Sequence, residues 1–147
     1  MFYFVVRHLR WLARVPGFPQ IFDALLLVST WMFRQSRFAA IEELEVEALR
    51  LTRVRLKPHR FGGIEFEEHG RELGHVHGHG LLDVFLRRES ADSLIAAGLV
   101  RPHHVFPHSR WISFQLESTA DVPFALELLT MAQTNANQFL DAANSQV

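Results

Sequence analysis

The spacing of apolar residues predicts helices along the first third of this 147-residue chain. Residues 38–51 repeat apolar side chains at intervals of three and four, with the glutamates of 42–47 mostly off that face, which indicates an amphipathic helix. Residues 21–33 are apolar apart from Asp23 and two small hydroxyl residues. Pro16-Gly17-Phe18-Pro19 divides the N-terminal region into two helical pieces, because the residue before a proline disfavours helix.

Alternation of apolar and polar residues predicts strands in the middle of the chain. His69-Gly70 and residues 78–80 suit tight turns between consecutive strands, so these strands form antiparallel hairpins. Turn chemistry and alternation together place strands over residues 52–58, 64–68, 71–77, 81–86 and 111–117.

Two further helices complete the pattern. One spans residues 89–97 and stops at Gly98, and the last is capped by Thr119 or Asp121 with Pro123 in its first turn. The predicted fold class is α+β: a small antiparallel sheet of hairpins flanked by helices, over residues 38–147. Residues 1–37 form an extra helical N-terminal segment.

Composition excludes several classes of protein. A net charge of -1 gives no basic field for nucleic acid. The chain has no cysteine, which excludes disulfides, thiolate nucleophiles and cysteine-ligated metal sites. The apolar run of 21–33 is shorter than the roughly 20 residues that cross a bilayer. Residues 1–37 carry five arginines against one aspartate, a net of +4, so peripheral contact with an anionic membrane is an alternative to packing on the domain.

Three of the nine histidines occur in the run Gly74-His75-Val76-His77-Gly78-His79-Gly80, between Glu72 and Asp83. A turn over residues 78–80 pairs His75 with Asp83 and places His77 on the same face of the hairpin. Asp83 then fixes one nitrogen of an imidazole and leaves the other free as a base or a metal ligand. The expected apolar wall of this face consists of Phe66, Leu73, Leu81 and Phe85.

A second group of histidines lies in the stiff loop Pro102-His103-His104-Val105-Phe106-Pro107-His108. His103 or His104 is expected to reach the first group, and a third ligand added to His75 and His77 would complete a catalytic metal set. Other polar residues have simpler interpretations. His79 is expected in a turn, Trp111 in the core, and Glu65 and Glu67 on a solvated edge, while His59, His69 and His108 are expected at the surface.

From Arg71 onward the chain resembles the fungal luciferase family and its bacterial luciferase-like relatives. The matching residues are Arg71-Glu72-Leu73-Gly74-His75-Val76-His77, Gly98 followed by His103, Trp111-Ile112-Ser113-Phe114, and a closing helix over Val122–Asn135. The bacterial branch adds residues 58–66, Asp83 and the His103-His104 pair. The resemblance covers about residues 45–137. The chain is shorter than the fungal pattern just after His77, so light emission is not implied.

The fungal enzymes oxidise a hydroxylated pyrone, 3-hydroxyhispidin, with molecular oxygen and are described as needing no metal or organic cofactor. The resemblance therefore implies a cofactor-independent, oxygenase-type enzyme acting on a small enolisable or phenolic substrate. His75 or His77 would take the substrate proton, and Asp83 would orient that base. His103 or His104 would donate to the developing oxyanion. Substrate contacts are expected from Arg60, Arg71, Glu72, Phe85 and Trp111, with an arginine holding an acidic group.

Two alternatives remain open from the sequence. The first is a metal-dependent enzyme or metal-binding module that uses His75, His77 and His103. The second is a non-catalytic binding domain that contacts a membrane through residues 1–37. We expect a cytoplasmic protein, with peripheral membrane contact and homo-oligomerisation as further possibilities.

Overall fold

The computed structural model describes residues 17–144, with side chains to residue 137. Helix α1 (Phe18–Phe33) follows Gly17, whose positive φ turns the chain, and Pro19 fits its first turn. Helix α2 (Gln35–Ala48) follows directly after Arg34, three residues earlier than the apolar spacing predicted. The apolar piece predicted before Pro16 lies outside the described residues.

A six-stranded antiparallel sheet forms the centre of the molecule, which confirms the predicted α+β class. Its strand order is β1-β2-β3-β4-β6-β5, so β3 and β4 lie in the middle. The strands are β1 (Arg55–Pro58), β2 (Ile64–Glu68), β3 (Arg71–Val76), β4 (Leu81–Phe85), β5 (Arg101–Pro102) and β6 (Trp111–Gln115). The short edge strand β5 was not anticipated from the sequence.

Helices cover one face of the sheet. The hydrophobic core joins that face to α2 and to α4 (Val122–Asn144), with fully buried Leu44, Leu82 and Leu128 among its residues. Burying a side chain of this size contributes about 1.5–3 kcal/mol relative to leaving it exposed. Helix α3 (Arg88–Ala96) lies between β4 and β5. No helix within residues 17–144 has both the length and the apolar character that a membrane span requires.

The β3–β4 hairpin has the register expected from its turn. His75 pairs with Asp83, and the backbone N–H of His77 donates to the carbonyl of Leu81 across residues 78–80. On the next strand Ser113 pairs with Asp83. Because paired residues share a face, the imidazole of His75, the carboxylate of Asp83 and the hydroxyl of Ser113 lie on the side of the sheet away from the core.

A β-bulge in β3 changes the expected wall of that face. Phe66 pairs with Gly74 and Glu67 pairs with Glu72, which leaves Leu73 without a partner on β2. The extra residue reverses the alternation, so Leu73 joins the core and Glu72 joins the side of His75. Phe66 also belongs to the core. The prediction that Phe66 and Leu73 line the histidine face was therefore wrong.

Candidate metal centre on the open face of the sheet

Asp83 lies at the centre of the histidine cluster and is fully buried. Its Oδ1 accepts a hydrogen bond from the hydroxyl of Ser113. Its Oδ2 has no hydrogen-bond partner among the described residues. Four imidazole nitrogens surround that oxygen at distances too long for ordinary hydrogen bonds: His75 Nε2 at 3.6 Å, His77 Nε2 at 3.6 Å, His103 Nε2 at 3.5 Å and His104 Nδ1 at 3.8 Å.

Glu72 holds the ring of His75 in place. The Oε1 atom of Glu72 is 2.6 Å from Nδ1 of His75, so Nδ1 carries the proton and donates it to the carboxylate. In the neutral imidazole the lone pair is then on Nε2, which faces Asp83. His59 stacks on the same ring, with 3.8 Å between centroids, and its Nε2 is 3.4 Å from Glu72.

The ring of His77 is held from the other side by a residue of helix α1. Nδ1 of His77 lies 3.4 Å from Oδ1 of Asp23, and the same oxygen accepts the backbone N–H of Gly78 at 2.9 Å. Burial lowers the pKa of His77, but the carboxylates of Asp23 and Asp83 outweigh burial and raise this pKa to about 9. The position of this ring therefore favours a positive charge.

The tautomer of His103 is the reverse of that of His75. Nδ1 of His103 accepts the backbone N–H groups of Val105 at 3.1 Å and Phe106 at 3.0 Å. Nδ1 therefore has no proton, and Nε2 of the neutral ring carries one toward Asp83. His103 is built as a hydrogen-bond donor, whereas His75 presents a lone pair.

Burial keeps three further imidazoles of the cluster neutral around an ionised acid. Burial lowers the pKa of His59, His79 and His104 to about 4 in each case. Burial raises the pKa of Asp83, but its contact with His77, its electrostatic interaction with His103 and His75, and the hydroxyl of Ser113 outweigh burial and hold this pKa at about 2. The centre is thus a buried carboxylate that needs positive charge beside it.

An aromatic rim surrounds the polar centre. Trp111 is partly buried, with its ring centroid 5.6 Å from that of His75 and 5.3 Å from that of Phe85. Phe106 stacks on His103, and Phe61 contacts His59 edge to face. Both phenylalanine side chains are exposed. A flat organic molecule therefore meets aromatic surface next to the imidazoles.

Comparison with known protein families identifies the part of the chain that contains these strands. Residues 70–132 match the family model described as the Luciferase domain. This segment, which is less than half of the chain, is luciferase-like. This confirms the family resemblance predicted from the sequence. No curated protein and no solved structure matches the chain.

The luciferase-like domain offers one buried set of ligands suited to a metal ion. The ligand atoms of His75, His77 and Asp83 all lie within 4.8 Å of one another, and all three residues are buried. Two histidines and one carboxylate are the ligand set of non-haem iron(II) oxygenases. Within residues 17–137, two other groups meet the same distance limit: His59 with Glu72 and His75, and Asp83 with His103 and His104. In the first, Nδ1 of His75 is already bonded to Glu72, and the second contains the protonated Nε2 of His103.

The structure brings only some of the predicted substrate contacts to this centre. Glu72 and Trp111 contact His75, and Arg60 lies at the rim with its guanidinium over the ring of Phe61. Arg71 is exposed and lines a separate cavity of about 300 Å³ next to α4. Phe85 lines that cavity and also contacts Trp111 at the rim of the histidine cluster.

Several polar residues in and around the site lie elsewhere than expected. His59 is buried at 3% exposure, so its placement at the surface was wrong, while His69 and His108 are exposed as predicted. Glu65 is buried and bonded to Lys57, so it does not form a solvated edge. The segment of residues 58–63, which the family resemblance already included, was the signal that could have placed His59 in the site.

Sequence reasoning missed Asp23 altogether. This residue precedes the segment that matches the luciferase family and belongs to a helix that the apolar pattern described as a separate N-terminal piece. No spacing rule connects Asp23 to the turn at Gly78, 55 positions later.

Proposed function

We propose that the luciferase-like domain is a metal-dependent enzyme of oxygenase type that acts on a small enolisable or phenolic substrate. The proposed ligands are Nε2 of His75, Nε2 of His77 and Oδ2 of Asp83. The observation that supports this proposal best is the convergence of these three atoms in a buried place where Oδ2 accepts no hydrogen bond from the residues that the structure describes. A bound divalent ion would supply a Lewis acid and a place for oxygen and substrate to meet.

The residues fit such an ion in distance and in charge. Ligand atoms about 2.1 Å from one metal ion lie about 3.0–3.5 Å from each other at octahedral or tetrahedral angles, and both imidazole nitrogens are 3.6 Å from Oδ2 of Asp83. Metal-bound histidines ordinarily donate their other N–H to a carboxylate, and here His75 faces Glu72 while His77 faces Asp23. The carboxylates of Asp83, Asp23 and Glu72, the first two buried and the third partly buried, favour a cation among them.

The other residues of the site have roles that follow from their geometry. His103 presents Nε2–H to the centre, so it donates to the oxygen of an ionised substrate. Trp111 and Phe106 supply aromatic surface for a flat substrate. Arg60, at the rim, holds an acidic group of the substrate.

Metal binding is tested on untagged protein. Metal-free protein is titrated with iron(II) without oxygen, in parallel with His75→Ala, His77→Ala and the exposed-histidine control His69→Ala. We expect one ion per chain for the unchanged protein and the control, and a loss of at least tenfold in affinity for each ligand variant. Equal affinity in all four proteins, or no uptake by the unchanged protein, overturns the proposed ligand set.

Turnover is tested by oxygen consumption with 3-hydroxyhispidin and with catechol as probes. We expect iron(II)-loaded protein to consume oxygen with at least one probe, and His77→Ala to lose this activity while His69→Ala keeps it. Iron-loaded protein that consumes oxygen with neither probe contradicts the proposed substrate class.

Metal-free oxidation with a histidine base is the second candidate. The observation in its favour is the pair of Glu72 and His75, in which a carboxylate orients an imidazole whose lone pair faces the site. Full turnover after removal of all metal would support this candidate and exclude the first.

A further inference from the structure

Helix α1 has an unusual distribution of polarity. Its buried residues are Asp23 and Thr30, whereas Ile21, Leu25, Val28 and Met32 are each more than half exposed. A buried carboxylate is costly unless it is paired or hydrogen-bonded. The acid of this helix therefore faces inward because it has partners there, and these partners are the ring of His77 and the backbone N–H of Gly78.

We propose that Asp23 is a positioning residue of the metal centre and that α1, although it precedes the matching segment of residues 70–132, completes the active site. This inference rests on the proposed function. Oδ1 of Asp23 faces Nδ1 of His77 and accepts its proton, which fixes the ring orientation and aims Nε2 at Asp83, where a metal ion would replace the second proton of the ring. Glu72 does the same for His75.

Two glycines show that close approach of α1 to the site is built into the fold. A Cβ atom added to Gly78 would lie 2.6 Å from the carbonyl oxygen of Asp23 and 2.7 Å from the amide nitrogen of Leu27. One added to Gly62 would lie 2.5 Å from Cβ of Asp23. Both glycines flank the histidine cluster, next to His77 and His59 respectively. The turns that carry these histidines thus have room for α1 only because they lack side chains there.

A hydrogen bond outside the cluster gives a matched control. Gln20, one turn before Asp23, donates from Nε2 to the carbonyl of Arg60 at 2.8 Å. Gln20→Ala weakens the attachment of α1 without touching His77. Asp23→Asn keeps the attachment of α1, because the amide oxygen still accepts the N–H of Gly78, but it removes the negative charge beside His77.

The test is an anaerobic cobalt(II) titration of the full chain, followed by absorption, for the unchanged protein and the variants Asp23→Asn, Asp23→Glu and Gln20→Ala. We expect Asp23→Asn to bind about 10–100-fold more weakly with an altered cobalt spectrum. Asp23→Glu should recover part of the affinity, and Gln20→Ala should bind as the unchanged protein does. Urea unfolding of each metal-free protein measures stability separately.

The outcomes separate the two proposals. If the unchanged protein binds cobalt and Asp23→Asn binds equally well, Asp23 does not position the site, while the ligand set stands. The positioning role is also overturned if Gln20→Ala and Asp23→Asn lose affinity to the same extent, since attachment of α1 would then explain both. If the unchanged protein binds no metal, the proposed function itself fails.

Discussion

His75 and Asp83 lie directly opposite each other on β3 and β4, with 3.6 Å between Nε2 of the imidazole and Oδ2 of the carboxylate. Two strand residues that share a face are held about 5 Å apart by the backbone alone. The sheet therefore sets their separation before any ligand binds. Because the backbone fixes this separation, substitution of either side chain should measure what that side chain itself contributes to metal binding.

Asp83→Asn should abolish most metal binding while the fold persists. The amide oxygen can still accept the hydroxyl proton of Ser113, but the anionic ligand and the charge that balances the imidazoles are gone. We expect affinity for iron(II) to fall by roughly a hundredfold or more. Asp92→Asn, on the exposed face of α3, is the control and should bind iron(II) unchanged. Equal binding by the two variants would contradict the role of Asp83.

His103→Leu should separate metal binding from turnover. Since Nε2 of His103 carries a proton and leucine has no polar side-chain atom, this change removes a hydrogen-bond donor to substrate and leaves the ligand set intact. We expect unchanged iron(II) affinity and a fall in kcat of about a hundredfold. His108→Leu lies in the same loop, exposed, and should keep full activity. Loss of iron from His103→Leu would instead make His103 a ligand.

The stability of the metal-free protein should be greatest near pH 6.5. The folded state binds fewer protons than the unfolded chain between pH 6.5 and 4, because burial lowers the pKa of His59, His79 and His104 to about 4. Stability is therefore lost as the pH falls through that window. His77, with its pKa raised to about 9, binds its proton more tightly when folded, so its contribution is lost from pH 6.5 to 9.

Urea unfolding between pH 4.5 and 9 checks this profile. The loss should be larger on the acid side, because three histidines with lowered pKa values act there and His77 acts on the alkaline side. Saturating metal should remove the loss on the alkaline side, because neutral imidazoles bind metal better. A flat profile over this range would contradict the assigned charges.

Gly78→Ala should displace α1. The added methyl group would meet backbone atoms of Asp23 and Leu27, which cannot move as a flexible side chain does. We expect a loss of about 1–3 kcal/mol in the free energy of unfolding and weaker metal binding. Gly70→Ala is the control, since nothing lies within 4 Å of its added Cβ, although its positive φ costs about 1 kcal/mol. Its metal affinity should be unchanged.

The β3–β4 hairpin was predictable in detail because its register follows from local rules. A turn over residues 78–80 and a period of two are enough to place His75 opposite Asp83 and His77 on the same face. The bulge at Leu73 was not predictable, because it depends on how β2 pairs with β3 rather than on either strand alone. That one extra residue moved Leu73 to the core and Glu72 to the side of His75.

The sequence by itself determined the α+β class, the hairpin, the luciferase-like resemblance and the importance of the histidine run, since each is encoded in neighbouring residues. The roles of Asp23, His59 and the tautomer of His103 were decided only by the tertiary structure. Asp23 reaches His77 from a helix 54 positions earlier in the chain, and His103 owes its proton position to two backbone N–H groups of a folded loop. Contacts over such distances depend on the packing of whole elements, which no local pattern of side chains specifies.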